Sequence, residues 1–322
     1  MNPIFEKIAL VFPGQGSQFI GMGRDLASEF PSSHEIFNKA NHVLGFDISK
    51  LMWEGPEEEL NDTINTQPAL FIHSCAALAA LNKEFPGLNV SFLAGHSLGE
   101  ISALFAAGSI SFESGLNLVR ERGRLMKEAG TLNPGGMAAI LGLEIPQMEE
   151  ICQQASDQVN FVQIANDNCP TQVVISGSVI ALEKAMGLAK EKGARRVRPL
   201  NVSIAAHSRL MNPICDRYKQ AIDHLGDPKD AVIPVISNVK ATPMVSLDEI
   251  KTDLLLQLTS RVRWTETIQY LERSGITSIL EIGSGDVLTG LNKRICATIP
   301  GFALGSIDSL RTIKTAMEVS NE

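Results

Sequence analysis

Short apolar runs and longer helical segments alternate at the two ends of the chain. Continuous apolar runs are typical of strands buried on both faces, and they occur at residues 8–12, 90–94, 232–236 and 278–282. The intervening segments, with small or regularly spaced apolar residues, predict helices at residues 69–81, 98–107, 114–129, 208–225, 247–258, 265–274 and 288–295. Strands that alternate with helices favour an α/β fold.

The middle of the chain has a different order of elements. Asn133-Pro134-Gly135-Gly136 breaks the helical pattern and predicts a crossing into another domain. Strand, helix, strand, strand, helix and strand follow at residues 137–143, 146–155, 159–165, 172–176, 180–192 and 195–200. This βαββαβ order is typical of a ferredoxin-like domain. We therefore expect a small domain at residues 133–200 inserted into a large domain of residues 1–132 and 201–322, whose last dozen residues fray.

Composition indicates a soluble, acidic protein. The 322 residues are 44% hydrophobic and 20% charged, as in a well-packed globule of one enlarged domain or two domains. A net charge of −8 argues against a nucleic-acid partner, which would require a basic surface. The five cysteines are scattered and contain no C-x-x-C pair. They fit reduced thiols in a cytosol-like compartment better than a disulfide framework or a zinc site, so we expect no metal.

The sequence predicts neither a secretory signal nor a membrane span. Near the N-terminus, charged residues precede an apolar run that is too short for a signal peptide. The most apolar stretch, residues 69–81, is too short to cross a bilayer. It predicts a buried helix, with Pro68 in its first turn and Thr66 as its N-cap. A cytoplasmic protein without a membrane partner is the expectation.

Gly95-His96-Ser97-Leu98-Gly99 is the most informative stretch, because it has the G-x-S-x-G pattern of a nucleophile elbow. It lies between a predicted strand and a predicted helix, the context that lifts a serine hydroxyl to a helix N-terminus. There the backbone N–H of Leu98 can face a developing oxyanion. The alternative is a chance Gly-Ser turn.

Gly14-Gln15-Gly16 is a second glycine-rich turn after a strand. It is not a dinucleotide fingerprint, because Phe19 stands where a third glycine is required, and no Lys-Ser or Lys-Thr completes a P-loop. Such a turn can instead present a backbone N–H to an oxyanion, and Gln15 is the candidate partner of Leu98. The alternative is a plain tight turn.

A serine nucleophile needs a base, and His207 is the strongest candidate. The base usually follows the nucleophile in the chain, which leaves His207 and His224. His224 lies at a polar helix end, whereas His207 closes a loop of small residues, where catalytic groups collect. His96, inside the elbow, should point away from the Ser97 hydroxyl and is a structural or supporting residue.

Arg122 is the one arginine of its helix that lies among apolar residues. The residues that share its helical face are Leu118, Val119, Leu125, Met126 and Ala129. Arg120 and Arg124 fall on the opposite face, which we expect to be solvated. A buried guanidinium needs an anion or strong acceptors. Either it forms a structural salt bridge with a core carboxylate, or its fork binds a substrate carboxylate.

Together these residues indicate a serine acyl-enzyme whose acyl group carries a carboxylate. Along nearly its whole length the chain resembles the family of malonyl-CoA:acyl carrier protein transacylases and polyketide synthase acyltransferase domains. The matching motifs are Phe12-Pro13-Gly14-Gln15-Gly16-Ser17-Gln18, Thr66-Gln67-Pro68-Ala69-Leu70, Gly95-His96-Ser97-Leu98-Gly99-Glu100, Arg122-Gly123, Gln172-Val173-Val174-Ile175-Ser176-Gly177 and Leu288-Thr289-Gly290-Leu291. The resemblance implies an α/β-hydrolase-like large domain with the ferredoxin-like insertion.

The resemblance also implies a role for each candidate residue. Ser97 is the nucleophile and His207 the base, while Arg122 binds the free carboxylate of the malonyl group. Such enzymes lack a triad aspartate, and Gln257 matches the position whose backbone carbonyl orients the histidine. The oxyanion hole is formed by the N–H groups of Gln15 and Leu98, and the further pocket residues are Asn168 and His96.

The implied reaction is a ping-pong transfer without a metal or redox cofactor. Ser97 takes the malonyl group from malonyl-CoA, and the phosphopantetheine thiol of acyl carrier protein then accepts it. A monomeric enzyme is expected. The segment Ile204-Ala205-Ala206-His207 departs from the patterns usual in the family, which leaves the preference for an α-methyl group open.

A basic run stands out in the acidic chain and consists of Lys190, Lys192, Arg195, Arg196 and Arg198. It suits an acidic carrier protein or the phosphates of CoA, and a solvated face is the alternative. Two other functions compete with the transferase. A serine hydrolase would share Ser97 and His207 without needing Arg122, and a non-catalytic partner of a synthase would not need the three together.

Overall fold

The computed structural model describes residues 3–318, in which the chain forms eleven strands and fourteen α-helices. The strands are β1 Ile8–Phe12, β2 Val90–Gly95, β3 Gly135–Leu141, β4 Val162–Cys169, β5 Gln172–Ser178, β6 Arg196–Pro199, β7 Val235–Ile236, β8 Pro243–Met244, β9 Val262–Arg263, β10 Ser278–Ile282 and β11 Gly301–Leu304. The helices are α1 Arg24–Glu29, α2 Pro31–Leu44, α3 Ile48–Glu54, α4 Glu57–Leu60, α5 Thr63–Glu84, α6 Gly99–Ala106, α7 Phe112–Leu132, α8 Ile145–Ala155, α9 Val179–Glu191, α10 Cys215–Asp223, α11 Leu247–Gln257, α12 Trp264–Arg273, α13 Val287–Ile295 and α14 Ile307–Glu318. Single 3₁₀ segments occur at Pro3–Phe5 and Arg209–Ile214.

The first sheet has six strands in the order β11-β10-β1-β2-β7-β8, and all its pairs are parallel except the last. Every residue of β1 and β10 is buried, because helices cover both faces of a parallel sheet. The strand predicted at residues 232–236 shrinks to β7, since Pro234 has no N–H to donate to a ladder and Val232 is 83% exposed. The carboxyl ends of β1, β2 and β7 meet at one edge of the sheet.

The second sheet has five strands in the order β6-β3-β5-β4-β9. Strands β3 to β6 and helices α8 and α9 reproduce the predicted βαββαβ order, with antiparallel pairing among the four strands. Strand β9, from outside residues 133–200, extends this sheet by pairing with β4. Along β3 the side chains alternate: Ala138 and Ile140 pack with α8 and α9, while Met137 packs against the main core on the other face. The domain boundaries at residues 133 and 200 stay a prediction.

Helix α5 begins earlier than predicted, and Thr66 is not its cap. The Asp62 side chain caps it by accepting from Ile64 N–H, while Thr66 Oγ1 donates to Leu60 O at 2.6 Å. Pro68 therefore lies inside the helix, where it cannot donate to the carbonyl of Ile64. Arg120 Nη1 donates to that carbonyl at 2.8 Å instead. Arg120 is thus half-buried, and the prediction that it is solvated was wrong.

Two further expectations near the C-terminal end are corrected. Pro213 divides the helix predicted at residues 208–225 into a 3₁₀ segment and α10. The last dozen residues were expected to fray, but α14 continues to Glu318 because Leu310, Ile313 and Met317 are buried against the core. The final four residues, 319–322, lie outside the described part. Within residues 3–318, no helix combines the length and apolar character that crossing a bilayer demands.

Candidate active site

Ser97 lies on the sharp turn between β2 and α6, as the elbow pattern predicts. Its φ of 53° is in the left-handed region, which is unusual for a residue with a side chain. The turn is closed so tightly that a Cβ on Gly95 would lie 1.9 Å from the backbone of Gly99. A Cβ on Gly99 would lie 2.1 Å from Phe12 O. Glycine is therefore required at both positions if Ser97 is to reach the carboxyl edge of the sheet.

His207 lies beside the serine hydroxyl in a geometry suited to a general base. The distance from Ser97 Oγ to His207 Nε2 is 2.8 Å, and His207 Nδ1 lies 2.8 Å from the backbone oxygen of Gln257. Because a carbonyl oxygen only accepts, Nδ1 carries the proton and Nε2 accepts from the serine. Burial, reinforced by the nearby Arg122 guanidinium, lowers the pKa of His207 to about 3. The imidazole is therefore neutral at neutral pH.

His224, the other histidine after the serine, is far less suited to this role. It is exposed at the end of α10, where its Nδ1 bonds to Gln220 O at 2.6 Å. His96, inside the elbow, does not bond to the serine hydroxyl. Its Nε2 lies 2.8 Å from Asn168 Oδ1, and its ring packs edge-on against Trp264. His96 and Asn168 thus meet each other on the wall of the same cavity.

Arg122 is a buried cation whose hydrogen-bond partners are all neutral. Its side chain donates to Gln67 Oε1 at 3.0 Å, to Gln257 Oε1 at 2.8 Å and to Ser97 Oγ at 3.1 Å, and the residue is only 2% exposed. No carboxylate of residues 3–318 lies within 4 Å of the guanidinium. Burial lowers the pKa of Arg122, although a guanidinium keeps its proton. Arg122 therefore does not form the structural salt bridge with a core carboxylate that was one of its two predicted roles. Its buried positive charge lies beside the Ser97 hydroxyl.

A cavity of about 550 Å³ opens above these residues. Its floor contains Ser97, His207 and Arg122, and Gln15 and Leu98 also line it. In the described part of the chain, no hydrogen bond uses the backbone N–H of Gln15 or of Leu98. Leu98 immediately precedes α6, so its N–H belongs to the positive end of that helix. Both N–H groups are free to receive an oxyanion.

One wall of the cavity is apolar and belongs to the second sheet, to helix α7 and to the loop before His207. Its members are Met126, Met137, Ala139, Val174, Leu200, Val202, Ile204 and Ala206. Strand β6 runs directly into this wall at Leu200 and carries exposed basic side chains on the edge of the sheet. We call Lys190, Lys192, Arg195, Arg196 and Arg198 the basic strip. All five are exposed.

Sequence reasoning missed the amides that hold this site together. Asn238 Oδ1 accepts from the Ser97 N–H at 2.8 Å, and its Nδ2 donates to Gly95 O at 2.6 Å. The Gln257 side chain donates to Ser97 O at 3.0 Å, in addition to its bond with Arg122. Asn238 follows β7, so a polar residue at the carboxyl end of a strand beside β2 was the available signal. For Gln67 the available sequence signal was weaker, namely a polar residue on a buried helix.

No group of three or more His, Cys, Asp or Glu side chains in residues 3–318 has a geometry that could hold a metal ion. The five cysteines, all within those residues, are free thiols. The chemistry proposed below uses only side chains and backbone groups.

Comparison with known proteins gives one consistent family. Residues 9–289 match the family model described as acyl transferase domain. Malonyl CoA-acyl carrier protein transacylase from Bacillus subtilis is 43% identical over 317 residues, covering 98% of this chain and 99% of the relative. The protein of the same name from Haemophilus influenzae is 40% identical over 309 residues, covering 96% and 98%.

Solved structures agree with the sequence relatives. An acyl carrier protein S-malonyltransferase from Vibrio cholerae superposes with a TM-score of 0.91 at 41% identity, covering 95% of this chain and 99% of the other. A structure of a type II polyketide synthase acyl-carrier protein in complex with its malonyl-transacylase gives a TM-score of 0.91 at 42% identity, covering 95% and 98%. The mixed α/β architecture is therefore that of these transferases.

Proposed function

The chain belongs to the acyl transferase domain family, and we propose that it moves a malonyl group from malonyl-CoA to the phosphopantetheine thiol of an acyl carrier protein, in fatty-acid or polyketide synthesis. The observation that carries this proposal is Arg122. A buried guanidinium with neutral partners, 3.1 Å from the nucleophilic oxygen, needs an anion on the acyl group itself. A hydrolase of neutral esters would have an apolar group there.

The position of Arg122 also limits the length of the acyl group. Its Nη2 already contacts Ser97 Oγ, the atom that becomes the ester oxygen. A carboxylate that pairs with this guanidinium must therefore lie only a few bonds from the reacting carbonyl. Malonyl, with one methylene between carbonyl and carboxylate, meets that requirement, whereas a long diacid would have to fold back on itself.

Acylation begins with the neutral imidazole of His207. Its Nε2 takes the proton of Ser97 as Oγ attacks the thioester carbonyl of malonyl-CoA. The tetrahedral oxyanion is received by the N–H groups of Gln15 and Leu98. The carbon–sulfur bond then breaks, and the CoA sulfur receives the proton that His207 carried. The products are free CoA and a malonyl ester on Ser97.

Deacylation repeats these steps with a different sulfur. His207 takes the proton of the phosphopantetheine thiol, the sulfur attacks the ester carbonyl, and the carbon–oxygen bond to Ser97 breaks. The serine oxygen recovers the proton from His207. The Gln257 backbone oxygen accepts from His207 Nδ1 in both halves, so it stabilises the imidazolium without a triad aspartate. No cofactor takes part.

The basic strip suits the negatively charged parts of the substrates. Five exposed cations follow one another between α9 and β6 in a chain of net charge −8, and the segment that follows them lines the cavity. An acidic carrier protein or the phosphates of CoA would be attracted to this edge. We further propose that the enzyme is cytoplasmic, because five free thiols fit a reducing compartment. A monomeric state is also proposed.

Incubation with radiolabelled malonyl-CoA tests the function. The wild type should acquire a stable label on Ser97 and lose it to carrier protein that bears phosphopantetheine. Carrier protein without phosphopantetheine is the control and should leave the label in place. Rapid release of free malonate would favour a hydrolase, and absence of any label would favour a binding role.

A further inference from the structure

A buried carboxyl group lies directly behind the nucleophile elbow. Glu100, in the first turn of α6, is completely inaccessible to solvent. Its Oε1 accepts from the backbone N–H of Asn238 at 2.8 Å and from Asn238 Nδ2 at 2.9 Å. Its Oε2 accepts from Gln257 Nε2. Glu100 touches neither the cavity nor the Ser97 side chain, so none of the steps described above uses it.

The two amides held by Glu100 contact every member of the site. Asn238 accepts from the Ser97 N–H, which fixes the strained backbone of the elbow. The side-chain Nε2 of Gln257 donates to Ser97 O, and its backbone oxygen accepts from His207 Nδ1. Its Oε1 accepts from Arg122. The orientation of this amide matters, because a flipped Gln257 would present its NH₂ to the guanidinium, with donor facing donor.

Glu100 can set that orientation only if it stays an acceptor toward Gln257. Three N–H groups converge on its two carboxyl oxygens, so Glu100 accepts in every one of these bonds. The neighbouring buried carboxyl group is that of Asp253, which is 3% exposed. Asp253 Oδ1 accepts from Ser237, and Asp253 Oδ2 is buried without a hydrogen-bond partner among the described residues.

The surroundings of both carboxyl groups are otherwise poor in charge. Burial and the neighbouring Asp253 charge raise the pKa of Glu100, and burial raises the pKa of Asp253. Arg122 and Tyr218 are the other titratable groups near Glu100, and Lys240 favours a charge on Asp253.

We propose that Glu100 is a positioning residue: it accepts from Asn238 and Gln257 and thereby aligns Ser97, His207 and Arg122. This inference rests on the proposed function for its substrate, but its geometric part concerns the reactivity of Ser97 alone.

The test compares Glu100→Ala and Glu100→Gln with the wild type, all well below their melting temperatures. Ser33→Ala serves as the control, because it removes a buried hydrogen bond, from Ser33 Oγ to Ala76 O, on α2. Two rates are measured: phosphonylation of Ser97 by a fluorophosphonate, which needs only nucleophile and base, and acylation by malonyl-CoA. If the wild type reacts with the fluorophosphonate but not with malonyl-CoA, the proposed function fails while this inference is still tested.

Glu100→Ala should slow both reactions about 100-fold, the cost of displacing reacting groups by about 1 Å. Glu100→Gln should recover most of this loss and remain about tenfold slow, because its amide oxygen can still accept from Asn238 while its NH₂ cannot accept from Gln257. Ser33→Ala should lower the melting temperature without changing either rate. Rates for Glu100→Ala equal to those of the control would overturn the positioning role.

Discussion

Two sets of cations lie in opposite environments of this molecule. Arg122 is a single guanidinium with 2% exposure, held by neutral acceptors next to the nucleophile. The basic strip consists of five exposed cations between the last turn of α9 and the edge strand β6, and its Lys192 pairs with Glu150 at 3.3 Å. Both could attract an anion, but the surrounding dielectric differs greatly between them.

Burial decides what each positive charge can do. A charge in a water-poor cavity interacts strongly over short distances, so Arg122 can select one acyl group over another. Exposed charges are screened beyond about 8–10 Å at physiological ionic strength, so the strip can steer an encounter but not align a carbonyl. The buried site should therefore control the chemical step and substrate choice, and the strip should control apparent affinity.

The largest expected effect within the buried site belongs to the nucleophile. Ser97→Ala should abolish covalent malonyl labelling, because no other hydroxyl occupies the elbow. The melting temperature should stay close to that of the wild type. Mass spectrometry of the labelled wild type checks the assignment, and a malonyl group on another residue would refute it.

Loss of the base should have the next largest effect. His207→Ala should slow acylation by about 10²–10⁴-fold, the usual contribution of a general base. His224→Ala is the matched control, since His224 is an exposed histidine at the end of α10. Pre-steady-state release of CoA measures the rate. A damaging His224→Ala beside a mild His207→Ala would mean that the wrong histidine had been chosen.

The pH dependence of acylation should reveal the burial of this base. The pKa of His207 is lowered to about 3, so the imidazole stays neutral as pH falls through 6.5, the ordinary histidine value. We expect kcat/KM to hold its plateau well below pH 6.5. An acid limb with a midpoint near 6.5 would contradict the assigned environment.

The lowered pKa of His207 also makes the stability of the fold depend on pH. Between pH 6.5 and about 3 the unfolded chain binds a proton at this histidine that the folded chain does not, so stability falls as pH falls. His73, whose pKa burial lowers to about 4, adds an effect of the same sign. Glu281, whose pKa burial raises to about 7, acts in the opposite direction, so the histidine contribution is isolated by mutation. His207→Ala should reduce any fall in melting temperature between pH 7 and pH 5. Circular dichroism measures the melting temperature at each pH. It also shows over which pH range the kinetic profile is that of folded protein.

The basic strip should give the smallest effect. Reversal of Arg195 and Arg196 to Glu should raise the apparent KM for carrier protein or CoA with kcat nearly unchanged, and high salt should mask the difference. Reversal of Arg311 and Lys314, two exposed cations of α14, makes the same change in net charge elsewhere. Equal KM values for both double variants at low salt would identify the strip as an ordinary solvated face.

Much of the site could be predicted because its signals are local. The elbow is five consecutive residues, and the exceptional burial of Arg122 follows from its neighbours on one helix. Asn238 and Glu100 gave no comparable signal, since their contact joins residues 138 positions apart. Only the assembled sheet edge brings such polar groups together.

Some strands were also not predicted correctly from the pattern of apolar residues. The strand expected at residues 159–165 is β4, Val162–Cys169, which continues through polar residues. Asn166 and Asn168 both face the cavity. Asp167, which lies between them, faces the other side of the sheet, where it accepts from Thr265. Polar side chains that face a cavity conceal a strand, because the apolar alternation is absent. The short strand β11 was missed since its four residues form no pattern.

Substrate choice by Arg122 is the central claim, and one comparison tests it most directly. We would measure kcat/KM for malonyl-CoA and acetyl-CoA in the wild type, Arg122→Ala and Arg120→Ala, beside a thermal melt of each. Arg122→Ala should lose about 2–5 kcal/mol of malonyl transfer, as expected when a buried charge pair is broken, while acetyl transfer changes little or improves.

Arg120 is the control on the same helix, because it bonds to Ile64 O and Asn65 Oδ1 rather than to the site. Arg120→Ala should lower the melting temperature and leave the substrate ratio unchanged. The malonyl preference should invert only in Arg122→Ala. An unaltered ratio in that variant, with equal loss for both acyl groups, would contradict substrate choice by Arg122.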